Sequence, residues 1–347
     1  MDVAKLAGVS PAVVSYVINE GTRPVAPATR ARVLAAIKEL GYRPNRLAAS
    51  LRSSKSHTIG VLVPDNSNPF FAELARAIED AAFVLGYTIL LGNAKEIPSR
   101  EVAYVCEFLD RQVTGIAIIP AYGPAEWTSH LVGRDVRCVL LDRDLDGTDG
   151  LELPLVRSAG EDGGYEATAH LLGHRRRRLA MIAGPEGLAP AEERVRGMRR
   201  AVTEHGADPD LVPVQHVPFN IAAGYRATLE LLAHHPQTDA IFVSSDIQAL
   251  GVLRALTERG LTVPGDVAIV SFDGIPLSAY TSPPLTTVQQ GFDELGREVL
   301  NTLVAEADAR PRVRSTTIPT SLRIRSSCGC VPAPSYTELG AEGGGAM

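Results

Sequence analysis

Several things are missing from this sequence. No run of about 18 apolar residues occurs in its 347 residues, which excludes an ordinary membrane-spanning helix. The amino terminus shows no signal-peptide pattern, because it enters a polar, helix-forming stretch at once. Cysteine is scarce: Cys106, Cys138, Cys328 and Cys330 are too few for a disulfide framework and lack metal-ligand spacing. A reducing cytoplasm, no metal and no cofactor are therefore expected. His234-His235 has no acidic partner at ligand spacing, and Cys328-Gly329-Cys330 falls in a small, polar tail over residues 326–347 that reads as disordered. Catalytic signatures are also missing. There is no Walker loop, no G-x-S-x-G, no H-E-x-x-H and no convincing G-x-G-x-x-G after the first strand. An enzyme is not expected.

What is present has the texture of a globular protein, with 45% hydrophobic residues and a mean hydropathy of +0.04. The length gives room for two or three domains. Charge is unevenly spread. Residues 1–55 hold nine Lys/Arg against three acids, although the whole chain carries a net −6. A basic head on an acidic body suits phosphate contact by the head.

The head repays close reading. In D-V-A-K-L-A-G-V-S-P-A-V-V-S-Y-V-I-N (residues 2–19), Ala4, Leu6 and Ala7 put apolar groups on one face of a first helix. Gly8 suits a left-handed turn, Ser10 an N-cap, and Pro11 the first helical position. Val14, Val17 and Ile18 then face inward, leaving Pro11, Ala12, Ser15, Tyr16 and Asn19 outward. This is a helix-turn-helix pattern, whose second helix can lie in a DNA major groove. A third helix is expected over residues 27–40, with Val33, Ala36, Ile37 and Leu40 at helical spacing and no capping oxygen on Ala26. Asn45 can cap a further short helix carrying Leu47, Ala48 and Leu51. Locally, two readings stand. It is either a hinge helix that forms with partner and DNA, with Leu51 as a wedge for a base step, or a plain linker.

Taken together, D-V-A-K-L-A-G-V-S (2–10), V-S-Y-V-I-N (14–19), T-R-A-R-V (29–33), E-L-G-Y-R-P-N (39–45) and A-A-S-L (48–51) resemble the LacI/GalR family of transcription regulators. The resemblance runs from Asp2 to about Arg325. It implies a homodimer on a near-palindromic DNA operator, with Pro11, Ala12 and Tyr16 at base edges and Ser10, Ser15 and Asn19 at phosphates. Arg30 and Asn45 join the DNA-binding set, and Leu51 is the intercalating hinge leucine. This sequence departs from the family at Ala49, where an Arg is usual, and at Ser158-Ala159, where Asp-Asn is usual. Pro11 and Ala12 cannot hydrogen-bond through their side chains, so readout leans on Tyr16 and on thymine methyls.

Beyond residue 57, apolar runs of strand length alternate with helical patterns: residues 59–63, 88–92, 115–119, 138–142, then 179–184, 240–244 and 267–273. Continuous apolar strands between amphipathic helices imply parallel sheets covered on both faces. The expected fold is α/β: a small all-α helix-turn-helix head (1–43), a hinge and linker (44–57), and a two-lobed body (58–325) with two parallel doubly wound sheets. The resemblance implies the same body, of the periplasmic-binding-protein kind, closing on an effector. Polar and aromatic residues beyond the strands are the candidate ligands: Asn68, Phe70, Phe71, Asp142, Arg143, Arg194, Phe219, Asp246, Asp273 and Gln290. Carboxylates with a planar Arg can bind neighbouring hydroxyls while a ring stacks on a sugar face. The expectation is a regulator, a repressor by resemblance, responding to a small carbohydrate. A purine or nucleoside is the alternative effector, and a sugar-binding protein or enzyme without DNA function the less favoured reading.

Overall fold

The structure, a computed structural model, describes residues 2–18, 24–42, 56–122, 125–145, 153–304 and 315–330. It divides into two units, residues 1–56 and 57–347.

In the first unit, α1 (Asp2–Leu6), α2 (Pro11–Ile18) and α3 (Pro27–Glu39) enclose a small core of Val3, Ala4, Ala7, Val14, Val17, Val33 and Ala36. Gly8 turns the chain at φ 63°, a conformation that a β-carbon would strain. The Ser10 carbonyl accepts from the Val13 and Val14 amides, and its hydroxyl accepts weakly from Val13 N at 3.4 Å. One inward assignment is corrected. Leu6 is 48% exposed, and Val3 takes its place in the core. Val3 and Ala7 are i, i+4 neighbours and share the face that α1 turns to α2 and α3. Leu40 also lies outside, because α3 ends at Glu39 and Gly41 reverses the chain at φ 57°.

The second unit holds two six-stranded sheets of the same design. Lobe one contains β1 (Thr58–Val63), β2 (Thr88–Asn93), β3 (Gly115–Ile118), β4 (Arg137–Leu141), β5 (Leu155–Ser158) and β11 (Thr316–Ile318), in the order β2-β1-β3-β4-β5-β11. Lobe two contains β6 (Leu179–Ala183), β7 (Val214–His216), β8 (Ala240–Val243), β9 (Ala268–Asp273), β10 (Thr286–Gln289) and β12 (Ser321–Arg323), in the order β7-β6-β8-β9-β10-β12.

The apolar runs are continuous because both sheet faces are covered. Along β1, Ile59, Val61 and Val63 pack under α4 (Pro69–Val84) and α10 (Phe292–Val304). Leu62 faces the other way, toward α5 (Pro98–Asp110). Lobe two repeats this, with α6 (Gly160–Gly173) and α7 (Ala189–Glu204) on one face and α8 (Ile221–His234) and α9 (Asp246–Glu258) on the other.

Three passages join the lobes: β5 to α6, β10 to α10, and β11 to β12. The short strands β5, β11 and β12 are absent from the sequence reading. Moreover, β12 runs antiparallel to β10, so the second sheet is not purely parallel. The polar tail also begins later than expected: Ser327 and Cys328 have no exposed surface. The Ser327 hydroxyl accepts from Thr286 N and donates to Ile269 O, each at 2.8 Å.

Candidate effector cleft and DNA-reading helix

The carboxyl ends of both sheets contribute to one cleft. Arg157 on β5 pairs with Glu193 on α7 across it at 2.5 Å. In an open α/β sheet this end carries the ligand, because the strand order reverses there and the flanking loops part.

Lobe one supplies a buried arginine. Arg143, just past β4, is 5% exposed. It donates to the Pro120 carbonyl at 2.8 Å and, with two nitrogens, to both Glu96 carboxylate oxygens at 3.0 Å. Phe71 lies beneath it, 5.9 Å from ring centre to guanidinium. Asp142 beside it adopts φ 61°. Burial pushes its carboxyl up, against the opposing pull of Arg194 and Arg143. Behind them Glu101 accepts from Ala121 N at 2.6 Å, and burial raises it to about 7.

Lobe two mirrors this. Arg194 sits in the second turn of α7, 5% exposed. It donates to the Ser244 carbonyl at 2.6 Å and stands 3.6 Å from an Asp273 oxygen. Its guanidinium lies 3.9 Å over the Phe272 ring and 5.7 Å from Phe219. Asp273 ends β9 at φ 111° and accepts from the Gln290 amide at 2.8 Å. Burial holds its carboxyl above the ordinary range, although Arg194 opposes the shift. Phe219 is half-buried against Gly184, where an added β-carbon would come within 2.1 Å of the ring. Only glycine permits that approach.

The structure thus brings Asp142, Arg143, Arg194, Phe219, Asp273 and Gln290 to the facing strand ends. Four candidates lie differently. Asn68 is spent as the N-cap of α4, accepting from Phe70 N at 3.1 Å. Phe70 and Phe71 belong to the core of lobe one, 6% and 5% exposed. Phe70 packs on Phe71 and Phe292 at 5.1 and 5.7 Å, so Phe71 lies under Arg143 and Phe70 at a cavity wall.

Asp246 is the larger correction. It has no exposed surface. One oxygen accepts from the Ser271 and Thr287 hydroxyls and the other from Ile275 N. With its acceptors filled, Asp246 ties β9, β10 and the following loop together. Burial raises its carboxyl to about 6 against those hydrogen bonds.

Sequence reading missed Glu96, Arg157, Glu193, Ser244 and Phe272, and met Ser158 only as a departure from the family. Phe70, Asp142, Arg157, Ser158 and Gln290 line a narrow cavity. Arg143 Nε, Ser158 Oγ, Arg194 Nε and Ser244 Oγ are buried without a protein hydrogen-bond partner, a demand that a polar ligand can meet. A larger cavity of about 450 Å³ opens beside Leu179, Pro213 and Thr238, at the amino ends of β6 to β8. None of the cleft residues lines it.

On the head, Ser10, Pro11, Ala12 and Ser15 are exposed and Tyr16 is half-buried along one side of α2, with Arg30 exposed on α3. Asn19, Asn45 and Leu51 lie outside the described residues. The cysteines lack metal-ligand spacing along the sequence, yet folding brings ligand atoms of His170, His174, Cys328 and Cys330 within 4.8 Å of one another. Linear spacing hid this set, because one pair lies on α6 and its end and the other more than 150 residues later.

A family model for the lacI family of bacterial regulatory proteins matches residues 1–45, and one for a periplasmic binding protein-like domain matches residues 168–328. The ribose operon repressor of Halalkalibacterium halodurans is 38% identical over 327 residues, 94% of this chain and 96% of that protein. The chain belongs to the LacI family. Its fold matches that of the lac repressor dimer bound to operator and the anti-inducer ONPF, with a TM-score of 0.82 at 28% identity, covering 94% of this chain and 98% of that one. It also matches a LacI family regulator from Enterococcus faecium with bound ribose, TM-score 0.69 at 29% identity, covering 78% and 98%. This LacI-family chain is a ligand-responsive, DNA-binding transcription regulator and not an enzyme. Among the described residues, no helix is long and apolar enough to cross a membrane.

Proposed function

We propose that this protein is a cytoplasmic, homodimeric repressor whose operator affinity is set by a monosaccharide, a pentose of the ribose kind. The observation that carries the sugar is the cleft's polar set: two buried arginines, each beside a carboxyl group, on opposite lobes. A planar guanidinium and a carboxyl group together match the alternating donors and acceptors of neighbouring hydroxyls. The relatives named for ribose point the same way.

In this reading Pro11, Ala12 and Tyr16 meet base edges, and Ser10, Ser15, Asn19, Arg30 and Asn45 complete the DNA-binding set. Leu51 is the minor-groove wedge. Effector held between Asp142, Arg143, Arg194, Phe219, Asp273 and Gln290 selects one lobe arrangement. Operator and effector are then linked reciprocally through the hinge. Ribose releases the operator if its preferred arrangement disfavours paired hinges.

Thermal unfolding against pentoses, hexoses, disaccharides, purines and nucleosides tests the proposal. A ligand at ~100 times its dissociation constant stabilises the native state by about 2.7 kcal/mol, a visible shift. A response to ribose that disappears in Arg194→Ala supports the sugar reading. A response confined to purines or nucleosides refutes it.

A further inference from the structure

Outside the cleft, one cluster of side chains has a composition that the regulator's chemistry does not use. His170 lies in the last turn of α6, and His174 is the residue that caps that helix. Their i, i+4 spacing puts both rings on one side, with centroids 4.8 Å apart and an interplanar angle of 69°. Cys328 and Cys330 arrive from the segment after β12. Cys330 Sγ stands 3.2 Å from His174 Nε2 and 3.7 Å from His170 Nε2. Cys328 Sγ is buried and receives the Thr286 hydroxyl at 3.1 Å.

We propose that His170, His174, Cys328 and Cys330 form a closed, structural site for one zinc ion. The geometry supports this directly. Zn–S bonds of ~2.3 Å and Zn–N bonds of ~2.0–2.1 Å at tetrahedral angles separate a sulfur from a nitrogen by about 3.6 Å. The two Cys330 distances bracket that value, and all four ligand atoms fall within 4.8 Å of one another. Two thiolates and two imidazoles suit zinc, whereas magnesium and calcium need oxygen ligands. The Thr286 hydroxyl supplies the outer hydrogen bond that steadies a metal-bound thiolate. Four protein ligands leave no open coordination position, so the site is structural and not catalytic. Binding replaces two S–H protons with two Zn–S bonds, and both protons leave to solvent without a change of oxidation state.

The site has a clear place in the fold. The first passage between lobes enters α6, and the last leads through β12 to the two cysteines. A bound ion would fasten the end of the last passage to the helix that follows the first. It would clamp lobe two on the face covered by α6 and α7, where Cys328 already belongs to the apolar core.

The test uses full-length protein carrying no histidine tag, dialysed against zinc and then against metal-free buffer, with bound metal measured by mass spectrometry. One zinc per chain is expected in the wild type and in Cys106→Ser. Cobalt(II) should give the absorption of a tetrahedral thiolate site. In Cys330→Ser and His174→Gln, zinc affinity should fall by more than the ~10–100-fold that loss of an outer hydrogen bond costs. Cys330 is only half-buried, so its replacement spares the core. Chelator should lower the wild-type melting temperature and open two further thiols to a thiol reagent. Substoichiometric zinc in the wild type, or equal zinc in both ligand variants, overturns the proposal. So does a Cys328–Cys330 disulfide in protein prepared under reducing conditions.

Discussion

Asp273→Asn should make the stability of the effector-free protein less sensitive to pH. Asp273 is 4% exposed, and burial raises its carboxyl from 3.8 to about 8, with Arg194 pulling the other way. The folded chain therefore holds a proton that the unfolded chain has already released. Stability from this group is complete below the unfolded value, near pH 4, and is lost as pH rises toward 8. One proton of difference corresponds to ~1.4 kcal/mol per pH unit. Asn is isosteric and can still accept from Gln290 at the 2.8 Å position, so the local geometry should persist. Urea unfolding at pH 5.5, 6.5 and 7.5 would read the effect. The mutant's loss of stability with pH should be shallower than wild type by up to ~1.4 kcal/mol per unit, with the mutant relatively favoured at the top of the range. Parallel pH profiles for the two proteins would refute a protonated, buried Asp273.

Other outcomes follow from packing and charge. In Gly197→Ala the new β-carbon would meet the Glu161 carbonyl oxygen at 2.0 Å, forcing α6 and α7 apart. Urea unfolding should show a loss of about 1–3 kcal/mol, and calorimetry a weaker effector, because Arg194 lies one turn before the wedge. Arg143→Met should leave Glu96 without its bidentate partner and weaken effector binding in calorimetry, while DNA binding by effector-free protein remains. Operator affinity should fall steeply between low and moderate salt as phosphate contacts release counterions, measured by fluorescence anisotropy. Leu51→Ala should reduce operator affinity and bending without lowering the melting temperature, and unchanged bending would remove the wedge.

Much of the architecture is legible in local patterns. Seven apolar runs lie on strands, all but the edge strand β2 buried along most of their length, and Gly8, Ser10 and Gly41 punctuate the head where turn chemistry requires them. The gaps have physical causes. The strand β5 reads L-V-R-S, too short and polar to stand out, yet its last two residues line the cavity. Strands β11 and β12 have three residues each and gain their identity from partners far away in sequence. Leu6 misled because a five-residue helix offers too few positions to define an apolar face.

The candidate site divides the same way. Arg143, Asp273 and Gln290 sit where strand-end logic places ligand groups, and Arg194 joins them from the second turn of α7. Asp246 occupies an equivalent position but spends its oxygens on Ser271, Thr287 and Ile275. A strand-end acid in sequence does not reveal which donors surround it. The His170, His174, Cys328 and Cys330 set is harder still, since its H-x-x-x-H and C-x-C halves gain meaning only when folding joins them.

The most direct measurement is the affinity of the wild type and Arg194→Ala for a labelled operator duplex selected from a random pool, with and without ribose, at fixed salt. The account predicts tight binding by both proteins without sugar, and a ribose-dependent change in the wild type alone. Binding that ribose leaves unchanged in the wild type, or changes equally in both, would contradict a sugar cleft coupled to the DNA-reading head.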